Sequence, residues 1–278
     1  MSGSNNSIYQ TIVDKNIHSV EVLGYMPAYL GSSKYGFTRR FHKKVAVSFD
    51  SIDKSSKADF NILVQCEPPE IFGAFPRMVK QHQTQFDLIL TYNPELLVLP
   101  NSQFFVPTGC FVDELSLNKT NQISFIMSSK ILTDEHRMRF MILRHLEDSD
   151  KIGEFDFLMH RAPPPIENKN NFFVNAKFHI TCENSRAHNM FSEKIIDCFR
   201  TKTVPIYYGC GNIENFFNCK GIIKFNTIDE FKTICKEIKP SWYTDRLPYI
   251  EENYKLSEVY WSKTVYQRIE DIIEQHLS

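Results

Sequence analysis

One stretch constrains this chain more than any other: residues 178–209, FHITCENSRAHNMFSEKIIDCFRTKTVPIYYG. An apolar run through Phe178 and Ile180 stops at Glu183-Asn184-Ser185, and after a loop Ser192-Glu193-Lys194 opens an amphipathic segment carrying Ile195, Ile196 and Phe199. A second apolar run, Val204 to Tyr208, closes at Gly209. The pattern predicts strand, loop, helix, strand. Ser192 suits the N-cap, because its hydroxyl accepts from a free N–H of the first turn. A helix start just past a strand end offers uncommitted N–H groups and the positive end of the helix dipole to an anion. Lys194 adds a full charge there and Glu193 adds acceptors for hydroxyl groups, a combination suited to a nucleoside diphosphate carrying a sugar.

The rest of the chain repeats the same alternation. Short strands are expected at 20–25, 44–49, 59–66, 86–91, 104–106, 123–127 and 222–225, with helices at 78–85, 135–146 and 229–238. An amphipathic segment over 257–276 reads as a last helix. The polar run Asp113–Gln122 reads as a linker. It divides an amino-terminal domain (1–115, completed by the carboxy-terminal helix 257–278) from a second domain (122–250). This predicts an α/β protein of two Rossmann-like domains facing a cleft. In open α/β sheets ligands sit at the carboxyl ends of strands. Two polar sites fall just past such ends: Glu67, before the Pro68-Pro69 turn, and Glu183–Lys194.

With 278 residues, 42% hydrophobic and 23% charged, the chain can bury the cores of two such domains. A formal charge of −1 does not point to nucleic acid as a partner. The seven cysteines are odd in number and include no C-x-x-C pair, which argues against a disulfide framework and a zinc site and for a reducing compartment. No run approaches the roughly 18 apolar residues of a membrane span. The start, MSGSNNSIYQTIVDKN, has no signal-peptide character. A cytoplasmic monomer or dimer is the expectation.

The block above resembles the donor-binding signature of the family 10 glycosyltransferases, the α1,3/4-fucosyltransferases: F-x-x-x-F-E-N-[ST], a loop, T-E-K, a helix, then P-[IV]-x-x-G. The corresponding pieces are Phe178, Cys182-Glu183-Asn184-Ser185, Ser192-Glu193-Lys194 and Pro205 to Gly209. The run Ile123–Phe140 resembles a second element of that family, S-F-x-x-S-x…R-x-x-F. The resemblance implies a GT-B fold and an inverting transfer of a small sugar from a nucleotide diphosphate to a glycan hydroxyl. It also resembles short virus-encoded and bacterial members, which lack a membrane anchor.

By that resemblance Glu67 is the general base, with Glu70 as the alternative. Arg137 is the diphosphate arginine, with Arg139 two positions on as its competitor. Asn184 and Ser185 contact donor hydroxyls or phosphate, Glu193 the ribose and Lys194 the diphosphate, with Ser192 and Glu183 beside them. Met190 stands where the family usually has a tyrosine against the guanine ring, so UDP-xylose stands beside GDP-fucose as the donor. The one D-x-D triplet, Asp148-Ser149-Asp150, follows a predicted helix rather than a strand. Metal-independent transfer, without a further cofactor, is therefore expected. The rival reading is a catalytically silent nucleotide- or glycan-binding module of the same fold.

Overall fold

The computed structural model describes residues 17–24, 36–52, 57–113, 118–147 and 150–278. Residues 1–16, residue 25 of the strand expected at 20–25 and the first two residues of the D-x-D triplet lie outside them.

The amino-terminal half is built on a parallel sheet. A short antiparallel pair, β1 (His18–Ser19) with β3 (Arg40–Phe41), stands apart from it. The sheet itself comprises β2 (Glu21–Gly24), β4 (Val45–Phe49), β5 (Phe60–Val64), β6 (Leu88–Thr91) and β7 (Ser102–Phe104), hydrogen-bonded in that order. Helix α1 (Phe75–His82) connects β5 to β6. Strands β4 and β6 are buried along their whole length, as expected of parallel strands covered on both faces.

The second half carries β8 (Thr120–Met127), α2 (Asp134–Leu146), the hairpin β9 (Lys151–Ile152) and β10 (Phe155–Arg161), then β11 (Ala176–Cys182), α3 (Glu193–Arg200), β12 (Val204–Tyr208) and β13 (Ile223–Lys224). Their sheet runs β13-β12-β11-β8-β10-β9, parallel except for β9. Helices α4 (Ile228–Glu237), α5 (Ser241–Thr244), α6 (Leu247–Leu256), α7 (Glu258–Trp261) and α8 (Val265–Leu277) follow. The chain crosses from β8 to β10 on one side and then to β11 on the other. The order therefore reverses at β8, which creates a crevice at the carboxyl ends of β8 and β11.

The segment expected as one terminal helix is broken. Its first turn, α7, lies against α3, and a new helix opens after Ser262–Lys263. Thr264 caps that helix: its hydroxyl accepts from Gln267 N, while the Gln267 side chain accepts from Thr264 N. Val265, Tyr266, Ile269 and Ile273 of α8 then pack on the amino-terminal sheet with Phe49, Val64 and Leu90. Arg39 ties the two ends together through Asp271 at 2.7 Å and Glu274 at 2.8 Å. The polar linker also ends sooner than expected, because β8 already begins at Thr120.

Candidate active site in the cleft

A cavity of about 260 Å³ lies at the crevice, and both halves of the chain line it. From the amino-terminal half comes Glu67. The carboxy-terminal half contributes Ser128, Lys130, Arg139, Lys169, His179, Asn184, Met190, Ser192, Glu193 and Lys194.

Helix α3 begins as its sequence dictates. Ser192 is extended at the N-cap and its hydroxyl accepts from Lys194 N. Glu183 is fully buried behind that cap and accepts from the Ser192 backbone N–H at 3.0 Å and from the Ser192 hydroxyl. Gly209 makes room for it: a Cβ there would lie 2.4 Å from Glu183 Cγ and 2.6 Å from the Tyr207 hydroxyl. Thus the glycine that ends the P-x-x-x-G run is required by close approach. Lys194 Nζ lies 3.2 Å from Glu193 Oε1 and 3.7 Å from Glu183 Oε2. Burial alone would raise the Glu193 carboxyl, but Lys194 and Lys169 outweigh it and bring it down to about 2. Glu193 is therefore an ionised acceptor throughout the neutral range.

The arginine at the site is Arg139. It is 4% exposed, and its guanidinium donates to the Cys182 carbonyl at 2.9 Å, to Asn184 Oδ1 and to Ser128 Oγ. The structure does not bring Arg137 to the cavity. Its side chain is 73% exposed and pairs with Asp134 at 2.9 Å. Positions two apart on a helix differ by roughly 200° in direction, so only one of the two can face the sheet. The neighbouring cap on α2 is Thr133, whose hydroxyl also donates to the Asn184 carbonyl at 3.0 Å.

Glu67 is half-buried at the end of β5. Its carboxylate has no hydrogen-bond or ion-pair partner among the described residues. Burial raises its pKa, with Lys130 and Lys194 pulling the other way. Glu70 is exposed and lies elsewhere in the cleft: it accepts from the Ser185 hydroxyl at 2.8 Å and does not line the cavity. Met190 does line it. Phe191 instead turns into the core against Phe216, Phe217 and Tyr260, at centroid distances of 5.1, 5.2 and 5.4 Å.

Sequence reasoning missed three basic side chains that line the cavity. Lys130 follows the end of β8 and could have been found by the strand-end rule that picked Glu67. Lys169 lies before β11 and reaches the site through a 2.5 Å pair with Asp197 Oδ2. His179, which has the pattern of any strand residue, also lines the cavity, with Nδ1 2.8 Å from Ser124 Oγ. Asp150 belongs to the turn before β9 and is not at the site. No three His, Cys, Asp or Glu side chains are grouped as metal ligands among the described residues.

A two-domain α/β chain with a cleft of this kind has the GT-B fold. A crystallised α1,3-fucosyltransferase with GDP-fucose superposes with a TM-score of 0.50 at 15% identity, over 84% of this chain and 78% of that one. TarM superposes at 0.52 and 11% identity, over 84% and 55%. The model of glycosyltransferase family 10 (fucosyltransferase), carboxy-terminal part, matches residues 117–261, more than half of the chain, which thus belongs to that family. An alpha-(1,3)-fucosyltransferase of Helicobacter pylori, FucT, is 30% identical over 90 residues, 32% of this chain and 19% of that protein. The match therefore spans about a fifth of that relative's length. No helix among the described residues is long and apolar enough to cross a membrane.

Proposed function

We propose that this chain transfers one small sugar from a nucleoside diphosphate to a hydroxyl of a glycan acceptor, with inversion at the anomeric carbon. One observation carries the reading. The carboxylate of Glu67, unpartnered among the described residues, shares a cavity with Lys130, Lys194, Arg139 and the amino end of α3. The acceptor oxygen attacks the anomeric carbon and gives its proton to Glu67, while the bond to the diphosphate breaks and its electron pair leaves with phosphate. A raised carboxyl pKa suits a base that must hold that proton through the step. Fixed cations and a helix dipole meet the charge that grows on the leaving group, and no metal is invoked. Glu193 accepts from ribose hydroxyls.

GDP-fucose is the first donor to test, since the relatives of this family named above are fucosyltransferases and one was crystallised with GDP-fucose. Met190, which lines the cavity where the family usually has a tyrosine against the guanine ring, makes UDP-xylose the second donor to test. Transfer assays with both donors, in excess EDTA, on wild type and Glu67→Gln check the proposal. Turnover should survive chelation and fall by roughly 10²–10⁴-fold in Glu67→Gln, with nucleotide affinity kept. Undiminished turnover in that variant, or retention of configuration in the product, refutes the mechanism. Nucleotide binding without transfer from either donor favours the silent binding module.

A further inference from the structure

Glu67 is held in place by an unusual neighbour. Asp50 directly follows β4 in the left-handed backbone region, φ 46°, which short polar residues tolerate better than most. Its own N–H donates to the Val64 carbonyl at 3.0 Å, which keeps it level with the end of β5. Both carboxylate oxygens then point along the chain that leaves β5. Oδ1 accepts from Cys66 N at 2.8 Å and Oδ2 from Glu67 N at 2.9 Å. From the other side, Gln65 N donates to the Leu90 carbonyl at 2.9 Å, and Gln65 Oε1 accepts from Thr91 Oγ1 at 2.6 Å. Pro68 follows and restricts Glu67 to extended backbone.

Asp50 makes no ion pair with Lys or Arg among the described residues, so its charge is met by those two N–H groups. Burial pushes its carboxyl up to about 7, and the Glu67 charge adds to the rise. Tyr92, from the end of β6, lies in the field of the same acids, and its hydroxyl is buried without a hydrogen-bond partner among the described residues. A turn after a strand does not require a buried carboxylate of this cost; a neutral Asn or Ser closes such turns commonly.

We propose that Asp50 is a positioning residue for the base, gripping two successive backbone N–H groups so that the Glu67 carboxylate reaches the acceptor oxygen. The inference rests on the reading of Glu67 as general base. Asparagine keeps the size of Asp50 but offers one acceptor and an NH₂ group that opposes the second N–H. The base then sits loosely, and misplacement of a reacting group by about 1 Å costs about 10²-fold in rate.

The test is a double-mutant cycle on turnover with Asp50→Asn, Glu67→Gln and both together, alongside calorimetric titration of GDP and UDP and thermal unfolding at pH 8. Asp50→Asn should lower kcat by about 10–10²-fold, leave nucleotide affinity within twofold and keep the unfolding temperature within a few degrees. Added to Glu67→Gln, it should cost no further rate, because its effect runs through a base no longer present. Wild-type kcat in Asp50→Asn, or the same fold-loss in both backgrounds, overturns the positioning role. Full activity in Glu67→Gln overturns instead the assignment of the base. Should Asp50→Asn not fold, Asp50→Ser, which keeps one acceptor and a short side chain, carries the same cycle.

Discussion

The hydroxyl of Ser185 donates to Glu70 Oε2 at 2.8 Å, so the loop that carries Asn184 is fastened across the cleft to the turn that carries Glu67. The same hydroxyl accepts from Ala187 N at 2.9 Å, and Asn189 Nδ2 donates to the Tyr92 carbonyl at 3.0 Å. The loop 184–189 is thus joined to the amino-terminal half at two points, the 67–70 turn and the end of β6.

That fastening separates the roles of the two glutamates. Glu70→Gln keeps an acceptor for Ser185 and should change turnover only a few-fold, against the 10²–10⁴-fold expected of a lost base at Glu67. Ser185→Ala removes the cross-cleft bond and the turn at Ala187 together. A charge-assisted bond contributes roughly 1.5–3 kcal/mol, and the variant should raise the KM for donor more than it lowers kcat. Steady-state kinetics on the three variants decide it; a Glu70→Gln enzyme as impaired as Glu67→Gln would return Glu70 to candidacy as the base.

The arginines make an equally sharp pair. Arg139→Ala leaves the Cys182 carbonyl and Asn184 Oδ1 without their donor inside the fold, as well as removing a cation from the cavity. Loss of nucleotide affinity and a stability loss of about 1–3 kcal/mol are expected together. Arg137→Ala breaks one exposed pair with Asp134 and should leave both unchanged within error. Calorimetric titration of nucleotide and urea unfolding of each variant provide the comparison. Weaker nucleotide binding in Arg137→Ala alone would restore the assignment that family spacing suggests.

What could be read from the chain and what could not divides along the range of the interaction. Ser192, Glu193 and Lys194 are legible because an N-cap and the first turn of a helix are set by neighbours within four residues. Glu67 is legible because a proline pair must end its strand. The choice between Arg137 and Arg139 depends on the phase of α2 relative to a sheet assembled from six strands, and spacing within the motif carries no such information. Lys169 reaches the site only because Asp197, on α3, draws it in, a contact across 28 residues. His179 has the pattern of any buried strand residue until the cavity beside it is known. The break between α7 and α8 has a local signal, the Thr264–Gln267 capping box, but apolar spacing runs smoothly across it and hides it.

Two buried histidines set an acid limit on the fold. Burial pushes His136 down to about 4, with Arg139, Lys194 and Lys130 adding to the fall, and pushes His179 down to about 3, with Lys169 adding to it. Unfolded, each takes up a proton near pH 6.5. Between that value and their folded pKa values the unfolded chain binds more protons than the fold. Stability from both is therefore present above about pH 6.5 and lost as pH falls toward 4. Asp50, raised to about 7, acts with the opposite sign: its contribution weakens as pH rises toward that value. The difference between wild type and a variant isolates the histidine part. His179→Gln keeps an amide donor for Ser124 and removes one titrating group. Its urea midpoint should fall less steeply than that of wild type between pH 6.5 and pH 4, with the two curves parallel above pH 7. Parallel curves across the whole range would show that His179 does not resist protonation in the fold.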